Sequence, residues 1–432
     1  MPAGSSPSAA ETPKTPPPGP TDPAFWRSPI RGTYLTAAIG TLLLGGLLIL
    51  TLTGFASHTA YEPDLRGNAI VPVDLPDPFG WPAGPGWLYA LSQGLHVNVG
   101  LATLPFLAVK LWSVIPRLIA WPPARSPAHA IERLSIALLV GSAIFLFASG
   151  VADYQLWYGF DFNFLVAHYY AAIVFVASLI IHLAIKVPSM RRAWRVRDGL
   201  APLREKALAE VTVDPVELQD EPGLVPENPR EPTITRRGVL ALAGASSATL
   251  LVANAGQSIG GPLREVAFLA PRRVSGGGPN DFPVNKTFSG SQIDPTALMP
   301  ANYRLELRGP DGTRMLTLAD LRAMPMTTEK LTIACVEGWS TRQTWTGVRV
   351  RDLGALVGAR EPSEVFVKSL QDAVLGQASM SGDTARNDRT LLALRVNGAA
   401  LSTDHGFPAR IIAPALPGVH CTKWVARMEF SA

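Results

Sequence analysis

The residues best suited to chemistry here are histidines inside apolar runs and a cysteine followed, well downstream, by spaced cations. His168 and His182 bracket the run HYYAAIVFVASLIIH, which holds no formally charged residue between its ends. Fourteen residues along a helix, at about 100° each, return to within about 40° of the starting face after a rise of about 21 Å, so the two imidazoles share one face. Ionisable groups in such a run are costly and mark a bundle interior or a functional cavity. Two imidazoles from neighbouring helices at matching depth suit the two axial positions of a haem iron. His96 lies about eight residues into the run that starts at Leu88 and His168 about four residues into its own, depths that make them partners for an outer haem. Cys335, in LTIACVEGWS, ends an expected strand, and its thiolate suits a soft metal centre; taken alone it is equally a small apolar packing group. His405, Arg410 and Lys423 come later in the chain, donors suited to a phosphate-bearing ligand, with arginine acting as a fork and lysine as a point charge.

The elements that must carry these groups are of two kinds. Only 17% of the 432 residues are charged and the mean hydropathy is positive, which sets the chain apart from ordinary soluble enzymes. Leu35 to Phe55, Leu88 to Val109, Leu134 to Val151 and Phe164 to Ile185 lack Asp, Glu, Lys and Arg, and each matches the roughly 17–25 residues a helix needs to cross a bilayer. Arg27 and Arg31 precede the first run, whereas the next loop holds Glu62, Asp64, Asp74 and Asp77 against Arg66 alone. Lys110, Arg117, Arg125 and Arg133 crowd the second connection, Asp153 and Asp161 the third, and Lys186, Arg191, Arg192, Arg195 and Arg197 trail the fourth run. This alternation places the amino terminus in the cytoplasm of a multi-pass cell-membrane protein.

Residues 1–24 read as a disordered tail, 25–197 as the four-helix membrane domain and 198–235 as a cytoplasmic linker rich in Pro and Glu. Arg236 and Arg237 then stand before a fifth apolar run over 236–258. The pattern reads either as a twin-arginine export signal inside the chain or as a basic stop beside an ordinary fifth helix. Both readings send the carboxy-terminal domain outside the cytoplasm. Cleavage after Ala253-Asn-Ala255 stays open.

After a linker over 259–280, residues 281–432 change texture. YRLELRG, KLTIACVEG, EVFVKSL, ARIIAPAL and KWVARMEF read as strands, RVNGAAL carries an Asn-Gly hairpin turn, and TLADLRAM begins with Thr317 as a helix cap. A compact α+β domain is expected. Two cysteines, Cys335 and Cys421, permit one disulfide at most, and no basic and aromatic pattern points to nucleic acid.

The segment DHGFPARIIAPALPGVHCTKW resembles the pterin-binding segment of the sulfite oxidase family of molybdenum enzymes, with His405-Gly-Phe-Pro-Ala-Arg410 followed thirteen residues later by Lys423-Trp424. The resemblance implies that Cys335, ahead of the Trp345–Val348 segment WTGV, ligates molybdenum, and that His405, Arg410 and Lys423 bind the pterin and its phosphate. Departures accompany it. Arg342 is displaced along EGWSTR, LQDAVLGQAS lacks the tyrosine such enzymes present near the metal, and the chain ends eight residues after Trp424, short of a dimerisation domain. These gaps argue against sulfite and towards the bacterial branch that works with a membrane haem partner.

The helical part resembles the b-type cytochrome subunits of membrane formate dehydrogenases and nickel–iron hydrogenases, whose fourth helix carries histidines at this spacing. There the inner haem takes a histidine from an Arg-x-x-His arrangement in the first helix; here Arg31-Gly-Thr-Tyr34 places a tyrosine instead. His129 is the candidate replacement, as partner to His182. His58 is either a second outer ligand or an interfacial side chain.

The combined expectation is an all-α transmembrane bundle of four helices plus a fifth signal or anchor helix, followed by an α+β sulfite oxidase-like molybdopterin domain. One or two haems b would exchange electrons between a quinone pool and an outer oxygen-atom-transfer site acting on a small oxidised or oxidisable substrate. Two rivals remain: a non-catalytic membrane haem electron carrier with an outer partner-binding domain, and a permease with structural histidines.

Overall fold

The computed structural model describes residues 28–62, 79–119, 121, 125–196, 200–212, 231–272, 274 and 277–432. The expected tail over 1–24, the central part of the linker (213–230) and the acidic Asp64, Asp74 and Asp77 lie outside them. The long helices are α1 (Thr33–Ala60), α2 (Leu88–Leu118), α3 (Pro127–Tyr154), α4 (Phe164–Val196) and α5 (Arg236–Ile259). Among the described residues these five are long and apolar enough to cross a membrane.

The chain forms two compact units, whose division does not follow the expected boundary near residue 281. Residues 1–47, 102–148 and 170–249 make one; residues 48–101, 149–169 and 250–432 make the other. In the first, Leu35, Ile39 and Leu43 of α1 are buried against Phe106, Leu107 and Trp112 of α2 and Leu240 of α5. Tyr34, the residue in place of the expected histidine, is fully buried and meets Trp194 edge-on at 5.5 Å. Lys110 Nζ donates to the Thr36 carbonyl (2.7 Å), and Lys186 pairs with Glu132 (3.2 Å). Arg236, first of the twin arginines, has no solvent exposure: its guanidinium pairs with Glu205 (3.2 Å) and donates to the carbonyls of Pro29 (3.0 Å) and Thr212 (2.8 Å). Such saturation of donors is what a buried guanidinium requires.

The second unit holds the α+β domain. One sheet runs β2-β1-β10-β5-β6, with β1 (Arg304–Gly309), β2 (Gly312–Thr317), β5 (Glu364–Ser369), β6 (Gln377–Ser381) and β10 (Val425–Ser431); only β1 and β10 pair in parallel. The other runs β3-β4-β7-β8, with β3 (Thr327–Ala334), β4 (Ser340–Arg349), β7 (Leu391–Val396) and β8 (Ala399–Ala400), while β9 (Arg410–Ile412) also pairs with β7. Alternation of apolar and polar residues buries one face of the first sheet, where Leu305, Leu307, Val365, Val367 and Met428 join a common core. The Asn-Gly turn forms between β7 and β8, with Asn397 and Gly398 both at positive φ (49° and 82°). Thr317 caps its helix as expected, in a reciprocal box: its hydroxyl accepts from the Asp320 N–H (3.1 Å) and the Asp320 carboxylate accepts from the Thr317 N–H (2.8 Å).

Within this same unit α5 is tied in by polar contacts past the expected cleavage segment. Asn254 Nδ2 donates to Asn98 Oδ1 of α2 (2.8 Å), its Oδ1 accepts from Tyr154 of α3, and Asn98 donates to Ser258 Oγ (2.9 Å). Replacing Asn254 with leucine strands the Asn98 and Tyr154 polar groups in a buried setting. Asn254→Leu is therefore expected to cost about 1–3 kcal/mol and lower the unfolding midpoint in detergent. A midpoint equal to the parent's would mean that these contacts do not hold α5 in place.

Candidate active site and imidazole pair

The cysteine sits in the tight connection between β3 and β4. Cys335 N–H donates to the Trp339 carbonyl (2.9 Å), and Gly338 N–H returns a bond to the Cys335 carbonyl (3.0 Å). Gly338 adopts φ +83°, and a Cβ there would stand 2.9 Å from Val97 of α2, so only glycine closes this turn against that helix. Further contacts seat the turn: Gln93 Nε2 donates to the Val336 carbonyl (2.5 Å), and Ser258 Oγ to the Gly338 carbonyl (2.5 Å). Both cysteines are free and buried, so the disulfide that the sequence permits is not formed. Burial first, and then the neighbouring Glu337, push the Cys335 thiol up. A metal reverses this, since a coordinating thiol is deprotonated outright.

Cys335, His405, Arg410 and Lys423 come together around one cleft of about 290 Å³ that Phe282 and Trp339 also line. Arg410 opens β9 and is 4% exposed; its terminal nitrogens donate to the carbonyls of His405 (3.1 Å) and Cys421 (3.2 Å), and its Nε has no partner among the described residues. Burial lowers its pKa to about 10. Lys423 Nζ donates to the carbonyls of Lys286 (2.5 Å) and Asp404 (3.0 Å), neutral acceptors that leave its charge unmatched. Burial and then Arg410 lower it to about 7. His405 stacks on Phe282 at 3.6 Å and gives its Nε2–H to the Asn280 carbonyl (2.8 Å), while burial and then Arg410 lower it to about 4, leaving it neutral. Gly406, at φ +102°, lets this strand start approach Lys423: a Cβ there would lie 3.0 Å from the lysine stem. Two buried cations with no anion, one with an unsatisfied N–H, suit a phosphate-bearing ligand, and the thiol suits a metal carried beside it.

The sequence pointed to these four residues but not to the charges behind them. Glu337 is 7% exposed, pairs with Arg272 (2.9 Å) and accepts from Trp339 Nε1 (2.8 Å). Its place two residues after Cys335, inside the EGWS stretch, was the available signal; Arg272 had none.

In the same unit His96 of α2 and His168 of α4 face each other, ring centroids 6.2 Å apart and planes at 77°. An imidazole–iron bond of about 2 Å on each side of a haem, plus about 1.1 Å from nitrogen to ring centre, calls for about 6 Å between centroids. His96 Nδ1 lies 3.1 Å from the Leu50 carbonyl, which can only accept, so Nδ1 holds the proton and Nε2 is the basic nitrogen. His168 Nδ1 is likewise engaged, by Ser149 Oγ at 3.0 Å. Glycines flank both rings: a Cβ on Gly54 would come 2.9 Å from His96, and one on Gly150 would come 3.4 Å from His168.

The other imidazoles stand apart from this pair. His58 stacks on Tyr169 (3.7 Å, 13°). In the other unit, His129 accepts at Nδ1 from the Arg125 N–H (3.1 Å) in its own first turn, while Lys110, Lys186 and Glu132 are the charged groups around His182. No ring contact joins His129 to His182 among the described residues.

Comparison with known proteins agrees with the cleft. Residues 292–432 match the family described as oxidoreductase molybdopterin binding domain. The chain is 30% identical over 122 residues to an uncharacterized oxidoreductase, YuiH, of Bacillus subtilis, covering 28% of this chain and 61% of that protein. It is 28% identical over 145 residues to a putative protein-methionine-sulfoxide reductase subunit, YedZ1, of Azospira oryzae (33% and 54% covered), and 29% identical over 171 residues to human mitochondrial sulfite oxidase (33% and 31% covered). Each match thus spans less than two thirds of the relative's own length. The sulfane dehydrogenase SoxCD of Paracoccus pantotrophus aligns with a TM-score of 0.31 at 21% identity, over 40% of this chain and 53% of that one.

The depressed lysine sets a pH dependence with a definite sign. Between about 7 and the unfolded value of 10.5, an unfolded Lys423 holds a proton that the folded one lacks. Its destabilising contribution is thus complete below the folded value and disappears as pH rises through this window. Cofactor-free parent protein is expected to gain thermal stability from pH 7 to 10 relative to Lys423→Met. Parallel curves for the two proteins would remove the lysine from the account.

Proposed function

We propose, taking residues 292–432 as an oxidoreductase molybdopterin-binding domain, that the full chain is a membrane-anchored molybdenum oxidoreductase. In this reading it exchanges electrons between a quinone pool and an oxygen-atom-transfer site through haem b. The observation that carries it is the convergence of Cys335, His405, Arg410 and Lys423 on one cleft.

Cys335 supplies the thiolate ligand, and its turn, held by Trp339, Gln93 and Ser258, fixes the sulfur's position. Arg410 and Lys423 hold the pterin phosphate, the unsatisfied Nε and the unmatched ammonium being the groups an anion completes. Neutral His405 orients the pterin by hydrogen bonding without adding charge. Glu337, locked by Arg272 and Trp339, keeps the turn rigid and water out. Bound here, molybdenum supplies two-electron oxygen-atom chemistry. Haem b at His96 and His168 supplies one-electron exchange, and both rings belong to the same compact unit as the cleft. His182, with His129 as its candidate partner, is the second haem position. The five apolar helices support membrane anchoring; the charge pattern supports a cytoplasmic amino terminus and an extracytoplasmic cleft. A cofactor assembled before export suits the twin-arginine reading of Arg236 and Arg237.

Metal and haem counts per chain test both modules. Cys335→Ser is expected to abolish molybdenum-dependent turnover while leaving the Soret band intact; surviving metal and turnover would sink the catalytic reading. His168→Ala is expected to remove the Soret absorption of the haem it ligates and to leave molybdenum content unchanged. An unaltered haem spectrum would refute the His96–His168 assignment.

A further inference from the structure

The molybdopterin-binding domain does not enclose Cys335 on its own. Segments from the helical part reach the same turn, and all of them belong to the second compact unit. Tyr89, the second residue of α2, is 1% exposed and packs with Ala60 of α1 against Ala334, the residue before the cysteine. Trp81 meets Tyr89 edge-on at 6.4 Å and anchors that contact by donating from Nε1 to the Ala415 carbonyl (2.7 Å). Tyr61, one residue beyond α1, meets His420 edge-on at 6.2 Å. The loop carrying His420 is bound to the end of β3, where Gly418 N–H donates to the Ala334 carbonyl (2.7 Å). Neither tyrosine lines the cleft that holds Arg410 and Lys423, so the two phenols meet the cysteine turn from outside the cation-bearing cleft.

The two phenols are neighbours, and they are in excess of what the fold needs. The Tyr89 hydroxyl is buried and makes no hydrogen bond of normal geometry. The Tyr61 phenol is pushed up by burial and next by Cys335 itself, which places the hydroxyl in the electrostatic reach of the sulfur. A buried donor without an acceptor costs stability unless a ligand supplies one.

The charges around the turn narrow the ligand. Glu337 and Arg272 neutralise one another in a two-bond pair (2.9 and 3.0 Å). Asp153, the other carboxylate acting on Cys335, accepts from Tyr158 (3.3 Å) and has no cation of its own among these groups. Arg264 spends its donors on the carbonyls of Ser340 and Gln257. Arg342, the arginine displaced along the chain, is exposed on β4. The wall therefore offers hydrogen-bond donors and surplus negative charge, a setting that disfavours an oxyanion.

The geometry points to a composite substrate pocket in which Tyr61 and Tyr89, supplied by the helical part, donate hydrogen bonds to the oxygen of an uncharged oxo-compound, a sulfoxide or an amine N-oxide. This rests on the reading of Cys335 as the metal ligand. It also gives the α+β domain the phenols that LQDAVLGQAS lacks, from about 300 residues upstream in the chain.

The test uses full-length, molybdenum-loaded protein in detergent, with dimethyl sulfoxide and trimethylamine N-oxide as probes and sulfite and nitrate as charged competitors. Binding is read from perturbation of the metal's visible spectrum, and KM and kcat separately from turnover. Tyr61→Phe and Tyr89→Phe are each expected to weaken probe binding and raise KM about tenfold, with metal content and resting spectrum unchanged. Sulfite and nitrate are expected not to displace the probes. Equal affinity in the double variant, or displacement by sulfite at lower concentration than the probe, overturns the pocket. If the double variant loses metal, the half-buried Tyr61→Phe alone decides. Metal-free parent protein defeats the reading of Cys335 instead, and with it this one.

Discussion

A guanidinium and an ammonium held inside the protein without a counter-anion are the constraint on which the α+β domain turns. Arg410 is 4% exposed and Lys423 is depressed to about 7, yet the partners they have are carbonyls. Carbonyl dipoles offset part of the desolvation cost but cannot cancel net charge. The fold around them is organised to keep them there: β9 begins at Arg410, Gly406 permits close approach, and Trp345 and Trp424 cover the two cations at 5.4 and 5.0 Å. An anionic ligand converts this stored cost into affinity.

Beside that charge sits a thiol kept protonated by burial and by Glu337, in a turn that α2 and α5 hold from outside the domain. The close approach of Gly338 to Val97 is possible only because the turn has no side chain at that point. Val97 directly follows His96, so the helix that carries one imidazole of the pair also shapes the cysteine turn. Positioning of the two sites is thereby shared by one rigid element rather than divided between independent domains. This is also the physical reason why residues 48–101 and 149–169 group with 250–432.

The imidazole pair obeys a different economy. Neutral rings tolerate burial, provided one nitrogen is hydrogen-bonded, and both Nδ1 atoms are. His129 shows the opposite behaviour, spending Nδ1 on the start of its own helix. His182 sits among Lys110, Lys186 and Glu132, groups that a neighbouring haem would have to accommodate.

Local pattern alone determined a good deal. Apolar runs of membrane length mark all five long helices because backbone satisfaction in lipid leaves few other structures. The Asn397–Gly398 turn and the Thr317 cap are legible since their causes lie within four residues. The cleft quartet was legible through the spacing of HGFPAR, KW and the upstream cysteine. Tertiary structure alone decided the rest. It brought His96, not His58, to His168, since helix rotation depends on packing rather than on depth. It paired Arg272 with Glu337 across 65 residues. It also set Tyr61 and Tyr89 against the cysteine turn, because contacts between segments hundreds of residues apart leave no periodicity or motif to read.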